Sequence, residues 1–201
     1  MSIRHNQRGI SLIELIMFIV IVSVALAGIL LVMNVTTRSS ADPLIHKQAL
    51  AIAESLLEEA ELMPFTICDP DDPNAAGAIS AADCTGGAGG ANDESAVIGP
   101  EGAGSVGGAE GRYAAPQFDN VSDYHNFSMS GASGIRDITN TPISSLLDGY
   151  AATVTVAVTD VGGIAAASGN ALRITVTVTG PDGLPVTVEG VRARYAPRAV
   201  P

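Results

Sequence analysis

Tryptophan is absent from this 201-residue chain, and aromatic residues make up only 4% of it. A chain so poor in rings lacks the stacking platforms on which bases or sugars are held. Basic residues are scarce too: ten Lys and Arg stand against 21 Asp and Glu, for a net charge of −11. Phosphate contact needs clustered Lys and Arg, so nucleic-acid binding is excluded. Cysteine occurs twice, as Cys68 and Cys84. A structural zinc site wants four ligands at short spacings, and those are missing. No G-x-S-x-G or comparable nucleophile motif is present. His46 and His125 therefore read as surface or packed residues rather than as catalytic ones.

Proline is missing before Pro43, and charge is missing from Leu15 to Met33. The stretch around that gap organises the chain: Arg4 and Arg8, then Gly9, then an apolar run to Met33 with one carboxylate, Glu14, close to its start. At about 1.5 Å per residue the uncharged part reaches roughly 28 Å as a helix, close to the hydrocarbon thickness of a bilayer. Any flexing inside the span falls to Gly28. A carboxylate at the centre of a membrane helix costs about 2.5–3.5 kcal/mol, and less near the end of the span. Such a group is tolerated when it has a partner. A secretory signal peptide with Ala25-Leu26-Ala27 as its cleavage site, or an uncleaved anchor, would also show a basic start and an apolar core. Neither explains Gly9 directly before the run with Glu14 inside it.

Gly9-Ile10-Ser11-Leu12-Ile13-Glu14 after a short basic leader resembles the N-terminus of type IV prepilins and type II secretion pseudopilins. The resemblance implies that a prepilin peptidase cuts after Gly9 on the cytoplasmic side and methylates the new N-terminus, Ile10. It implies that Glu14 pairs with the N-terminal amine of a neighbouring subunit during assembly. A buried carboxylate whose partner is another chain's amine favours one register of insertion. Arg4 and Arg8 also follow the positive-inside rule. Implied partners are other major and minor pilin subunits, the peptidase and the inner-membrane assembly platform, with the C-terminal part in the periplasm and no cofactor. Ala41-Asp42-Pro43-Leu44, the Gln48–Glu59 stretch and Phe118–Tyr124 resemble the minor pilins of mannose-sensitive haemagglutinin (MSHA) pili. Minor pseudopilins of type II secretion share the helix pattern. A membrane-anchored enzyme or binding module is the third class, and no catalytic constellation supports it.

The expected organisation is a leader (1–9), a transmembrane helix segment (10–38), an amphipathic helix segment (39–64), a loop region (65–149) and an antiparallel sheet (150–201). Asp42 and Pro43 suit a helix start, so a kink or short break is expected near 39–43. Ile45, Ala49, Ile52, Leu56, Ala60 and Met63 form an apolar stripe at helical spacing, and Glu54, Glu58, Glu59 and Glu61 read as a solvated face or as a patch for a basic partner. In an exported body, Cys68 and Cys84 most simply form one disulfide. Asp69, Asp71 and Asp72, with Asn74 and Asp83, could ligate calcium, as some pilin-like subunits do, but they lack EF-hand spacing and a solvated turn is the plainer reading.

Beyond Cys84 the Gly/Ala-rich composition predicts a mobile segment. Its Gly102-to-Gly107 G-x-G-x-x-G has neither the strand before it nor the helix after it that a dinucleotide site requires. Tyr113, Phe118, Val121, Tyr124 and Phe127 are expected to form a satellite cluster at the base of the loop. Period-two alternation over 152–159, 172–179 and 186–195, with a turn at Gly180-Pro-Asp-Gly183 and a bulge at Gly190, predicts an antiparallel meander with one buried face. Arg192, Arg194 and Arg198 form a positive patch suited to the acidic helix. Together these give an α+β, pilin-like fold: a long N-terminal helix, transmembrane then amphipathic, packed on a C-terminal antiparallel sheet.

Overall fold

The computed structural model describes residues 11–95, 98–130 and 133–195, with the backbone alone described for 35–42. One helix, α1 (Leu12–Leu62), precedes four strands, β1 (Ser128–Met129), β2 (Ala151–Val158), β3 (Ala171–Thr179) and β4 (Pro185–Ala193). Contacts divide the chain into two units, Met1–Leu44 and Ile45–Pro201. Helical backbone continues through Pro43, so the expected break at 39–43 is not there. A proline takes only one backbone donor out of a helix. The Ala-, Leu- and Glu-rich sequence that follows has high enough helix propensity to keep the neighbouring turns.

In the first unit, Leu12–Asn34 is long and apolar enough to cross a membrane, with a mean hydropathy of 3.2. Its side chains are exposed on every side, from Leu12 and Ile13 through Leu30 to Met33. An all-round apolar helix needs lipid or other helices around it. The hydroxyl of Ser23 donates to the Ile19 carbonyl at 2.7 Å, which satisfies it without water.

In the second unit, Ala49, Ile52, Ala53, Leu56 and Ala60 of α1 are buried against the sheet, with Ile45 and Met63 half-buried at the ends of the stripe. The sheet is an antiparallel meander in the order β1-β2-β3-β4. It presents Ala152, Val154 and Val156 from β2 and Leu172, Ile174, Val176 and Val178 from β3 to the helix. The opposite face carries the threonines, including a Thr177–Thr187 cross-strand hydrogen bond at 3.1 Å. The Gly180–Gly183 turn closes the last hairpin, with Gly183 N donating to Gly180 O at 3.0 Å.

The expected bulge at Gly190 does not exist, because Gly190 pairs with Ile174 in an unbroken ladder. A glycine in a strand marks either a bulge or a close approach, and here it is the second. A Cβ at Gly190 would collide with the Glu61 carboxylate and reach Leu57 Cδ1 at 3.0 Å. Without the extra residue, Val191 and Tyr195 face solvent. Arg192 and Arg194 take the helix-facing positions instead. Arg192 Nη2 donates to the Met63 carbonyl at 3.2 Å, a favourable place for a cation at the end of a helix. The Arg194 guanidinium lies 4.1 Å from the Phe65 ring centroid. These two arginines therefore cap and stack rather than pair with the acidic face, and Arg198 lies outside the described residues.

Residues 66–127 keep the expected disulfide and differ from expectation beyond it. The Cys68–Cys84 disulfide closes the first loop, with Cα atoms 5.4 Å apart. The chain then returns to bridge Cys68 with Asp93. Asn92, Asp93, Glu94 and Glu101 are buried rather than loose. Asp and Asn side chains replace the missing apolar core: Asp93 accepts from Gly89 N (2.7 Å) and Ser95 N (2.9 Å), and Asn92 Oδ1 accepts from Val106 N (2.7 Å). The aromatic residues join the main core instead of forming a satellite: Val121 and Tyr124 are buried in it, with Phe118 and Phe127 against them. Phe118 and Tyr124 meet edge-on at 5.1 Å.

Candidate functional site

Glu14 stands in the first turn of α1, where the unpaired N–H groups of a helix favour negative charge. Its side chain is exposed, as are all its neighbours from Ser11 to Asn34. Gly9 and Ile10, the expected processing residues, lie outside the described residues. The structure thus shows an exposed carboxylate, four residues after Ile10 in the sequence, at the head of an exposed apolar helix that carries no further charge up to Met33.

Arg112 carries the second group of interest. Its Nε and Nη2 donate to Glu59 Oε1 and Oε2 at 2.7 and 2.8 Å, and its Nη1 donates to the carbonyls of Arg136 (3.2 Å) and Asp137 (3.3 Å). Tyr124 Oη donates to the same Glu59 at 2.8 Å. The guanidinium also sits 5.1 Å from the Tyr113 ring centroid and 5.3 Å from that of Phe127. Burial disfavours the charged form of Glu59, but the hydrogen bonds from Arg112 and Tyr124 and the charge of Arg112 hold its carboxyl below the usual range. One residue of the acidic helix face is therefore a latch to the loop region, while Glu54 and Glu58 are solvated. His125 Nδ1 accepts from Val156 N at 3.1 Å, a structural role, and His46 is exposed.

The loop region gathers carboxylates. One oxygen each from Asp69, Asp71, Glu110 and Asp119 lies within 4.8 Å of the others, and the same holds for Glu94, Glu101 and Asp123. Glu101 feels the charge of Asp71, and Glu110 those of Asp123, Glu101 and Asp119, so the two groups adjoin. Burial, reinforced by neighbouring carboxylates, raises Asp69 to about 6 and Asp119 to about 7. Glu101, Glu110 and Asp123 are raised as well, again chiefly by burial.

Of the three aspartates that the sequence singles out, the structure brings Asp69 and Asp71 together. Asp72 is turned away, its oxygens accepting from Asn74 N (2.9 Å), Thr85 Oγ1 (2.8 Å) and Thr85 N (2.6 Å). Glu94, Glu101, Glu110, Asp119 and Asp123 escape sequence reasoning because they are spread over thirty residues of Gly- and Ala-rich chain. One signal was there: Arg112 is the sole Lys or Arg between Lys47 and Arg136.

Compared with known families, residues 4–30 match the prokaryotic N-terminal methylation motif. This motif belongs to the general type IV pilin and pseudopilin kind, and it covers the basic stub, Gly9, Ile10, Glu14 and most of the apolar run. The α+β architecture, one helix that is apolar in its N-terminal segment and contributes its later residues to the core of a four-stranded antiparallel sheet, is consistent with a pilin-like fold. No curated protein and no solved structure matches the chain.

Proposed function

We propose that the chain is a minor type IV pilin of the MSHA kind, resembling MshD, that a prepilin peptidase cleaves between Gly9 and Ile10 and methylates on Ile10. The single observation that carries this reading is the methylation motif over residues 4–30, set on an exposed, uncharged helix with Glu14 in its first turn. After cleavage, Glu14 is the fifth residue of the chain, four after the one that carries the new amine. Its partner is then the amine of an adjoining subunit, because a charge of this kind stays in an apolar environment only when paired. The helix anchors the subunit in the inner membrane with unit Ile45–Pro201 in the periplasm. Helix packing within a pilus then replaces lipid around the apolar side chains. In this role the protein is an assembly subunit rather than an enzyme, and its partners are other pilins, the peptidase and the inner-membrane platform.

The pattern Ala49-x-x-x-Ala53-Glu54-x-x-Leu57-Glu58-Glu59 also fits a minor pseudopilin of type II secretion. N-terminal sequencing of the protein from cells with and without the prepilin peptidase tests the core of the reading. Methylated Ile10 is expected in the first strain and an uncut leader in the second. A mature N-terminus at Gly28 would replace the proposal with an ordinary signal peptide. Co-purification with pilus or with secretion components separates the two machines.

A further inference from the structure

The carboxylates gathered between Asp69 and Asp123 play no part in the assembly role, and their hydrogen bonding is divided in a consistent way. Asp69 Oδ1 accepts from Asp71 N at 2.7 Å, and Asp123 Oδ2 accepts from Asn120 N at 2.7 Å and Asp119 N at 3.0 Å. The other oxygens, Asp69 Oδ2 and Asp123 Oδ1, have no hydrogen-bond donor among the described residues. Glu101 Oε2, Glu110 Oε2 and Asp119 Oδ1 share that state. Asp69 and Asp123 are 0% exposed and Glu101 8%. Buried carboxylate oxygens without donors, pressed against like charges, are relieved either by a proton shared between them or by a cation. Among the described residues no Lys or Arg supplies it, because Arg112 is committed to Glu59 in the one ion pair.

We propose that this nest binds calcium, one Ca²⁺ held by Asp69, Asp71, Glu110 and Asp119 and a second by Glu94, Glu101 and Asp123. The donor set is entirely oxygen, with no Cys or His, which disfavours zinc. Ca²⁺ takes six to eight oxygens at about 2.3–2.6 Å, so oxygens sharing one ion lie within about 5 Å of each other, as those of each group do. Mg²⁺ needs near-ideal octahedral geometry and keeps its waters, a poor match to crowded carboxylates. Backbone N–H groups fix the outer oxygens of Asp69 and Asp123, and the Ser122 hydroxyl fixes Glu94, which holds the ligands in place. Asp71 is exposed and gives the ion a way in. Gly107, at φ 91°, lets the backbone come close to the Asp71 carboxylate, since a Cβ there would lie 2.5 Å from Asp71 Oδ2.

Equilibrium dialysis of the chelator-treated full-length chain in detergent micelles against Ca²⁺ alone, with Mg²⁺ as competitor, tests this. Two Ca²⁺ per chain are expected, with a urea midpoint that rises as Ca²⁺ is added. Asp69→Asn and Asp123→Asn should each weaken one of the two ions by about tenfold or more, because ligand charge sets affinity. Both substitutions relieve like-charge repulsion, so without calcium the variants should unfold no earlier than the parent chain. Glu110→Gln, at a less buried position, provides the same readout should Asp69→Asn not fold. No binding by the parent chain overturns the proposal. Unchanged binding in the Asp69→Asn/Asp123→Asn double variant, or displacement by equimolar Mg²⁺, also overturns it. A single ion abolished by either substitution overturns the two-ion assignment. Cleavage at Gly9 is independent of all these outcomes.

Discussion

Replacing Glu59 with glutamine keeps the shape of the side chain and removes the charge opposite a buried guanidinium. Arg112 is 5% exposed and holds Glu59 through two hydrogen bonds, while it also secures the carbonyls of Arg136 and Asp137. Removing one partner of a buried ion pair costs about 3–5 kcal/mol. Here the Glu59 side chain is 22% exposed, so water shares in the screening. We therefore expect about 2–3 kcal/mol. With a urea dependence of about 2 kcal/mol per molar, the midpoint should fall by about 1–1.5 M.

Tyrosine fluorescence is a suitable probe, since the chain has no tryptophan and its tyrosines, at 113, 124, 150 and 195, all belong to unit Ile45–Pro201. The folded-state pKa of Glu59 is depressed, so its contribution is complete above the ordinary value of 4.5 and lost as pH falls through the lowered one. The deficit of Glu59→Gln should thus persist from pH 7 to about 4.5 and close below it. A double-mutant cycle with Arg112→Met should return most of the loss as coupling. A deficit under about 0.5 kcal/mol, or one that does not narrow in acid, would refute the reasoning.

Glu14→Ala should leave membrane insertion intact and abolish incorporation into filaments, read by carbonate extraction and by shearing of surface pili. Normal incorporation would remove the inter-subunit pairing. Reducing Cys68–Cys84 opens a loop with a sequence separation of 16 and should cost about 3 kcal/mol in urea unfolding. An unchanged midpoint with both thiols titratable would count against it. Gly190→Val should destabilise the second unit by about 1–3 kcal/mol, because the new side chain meets Leu57 and Glu61. The same substitution at Glu189, on the exposed face, should cost little.

The parts of this molecule ruled by hydrophobic period were legible from residue types. The stripe from Ala49 to Ala60 and the valines of β2 and β3 end where their spacing puts them, because one apolar face of each element must find another. Glu14 and Gly9 stood out because a charge beside an uncharged run has few explanations. Legibility failed where one residue type has two uses. Gly190 read as a bulge and is a close approach, and Pro43 read as a helix start and lies within α1. It failed again in residues 66–127, where order comes from Asp and Asn side chains bonding to backbone N–H groups, a chemistry without period. The carboxylate nest shares that cause, since its members meet only after the disulfide loop and the Cys68–Asp93 bridge fold back.

The unbroken pairing of β4 with β3 has a further effect on how the strand's far end is keyed. Side chains alternate strictly, so Val186, Val188, Gly190, Arg192 and Arg194 share one face, and that face grades from aliphatic to cationic along its length. An inserted residue after Glu189 would turn Val191 and Tyr195 inward and throw both guanidiniums into water. The Met63 carbonyl and the Phe65 ring would then lose their partners together. Misregistration at this hairpin is thus penalised by polarity as well as by packing, at the place where the long helix ends.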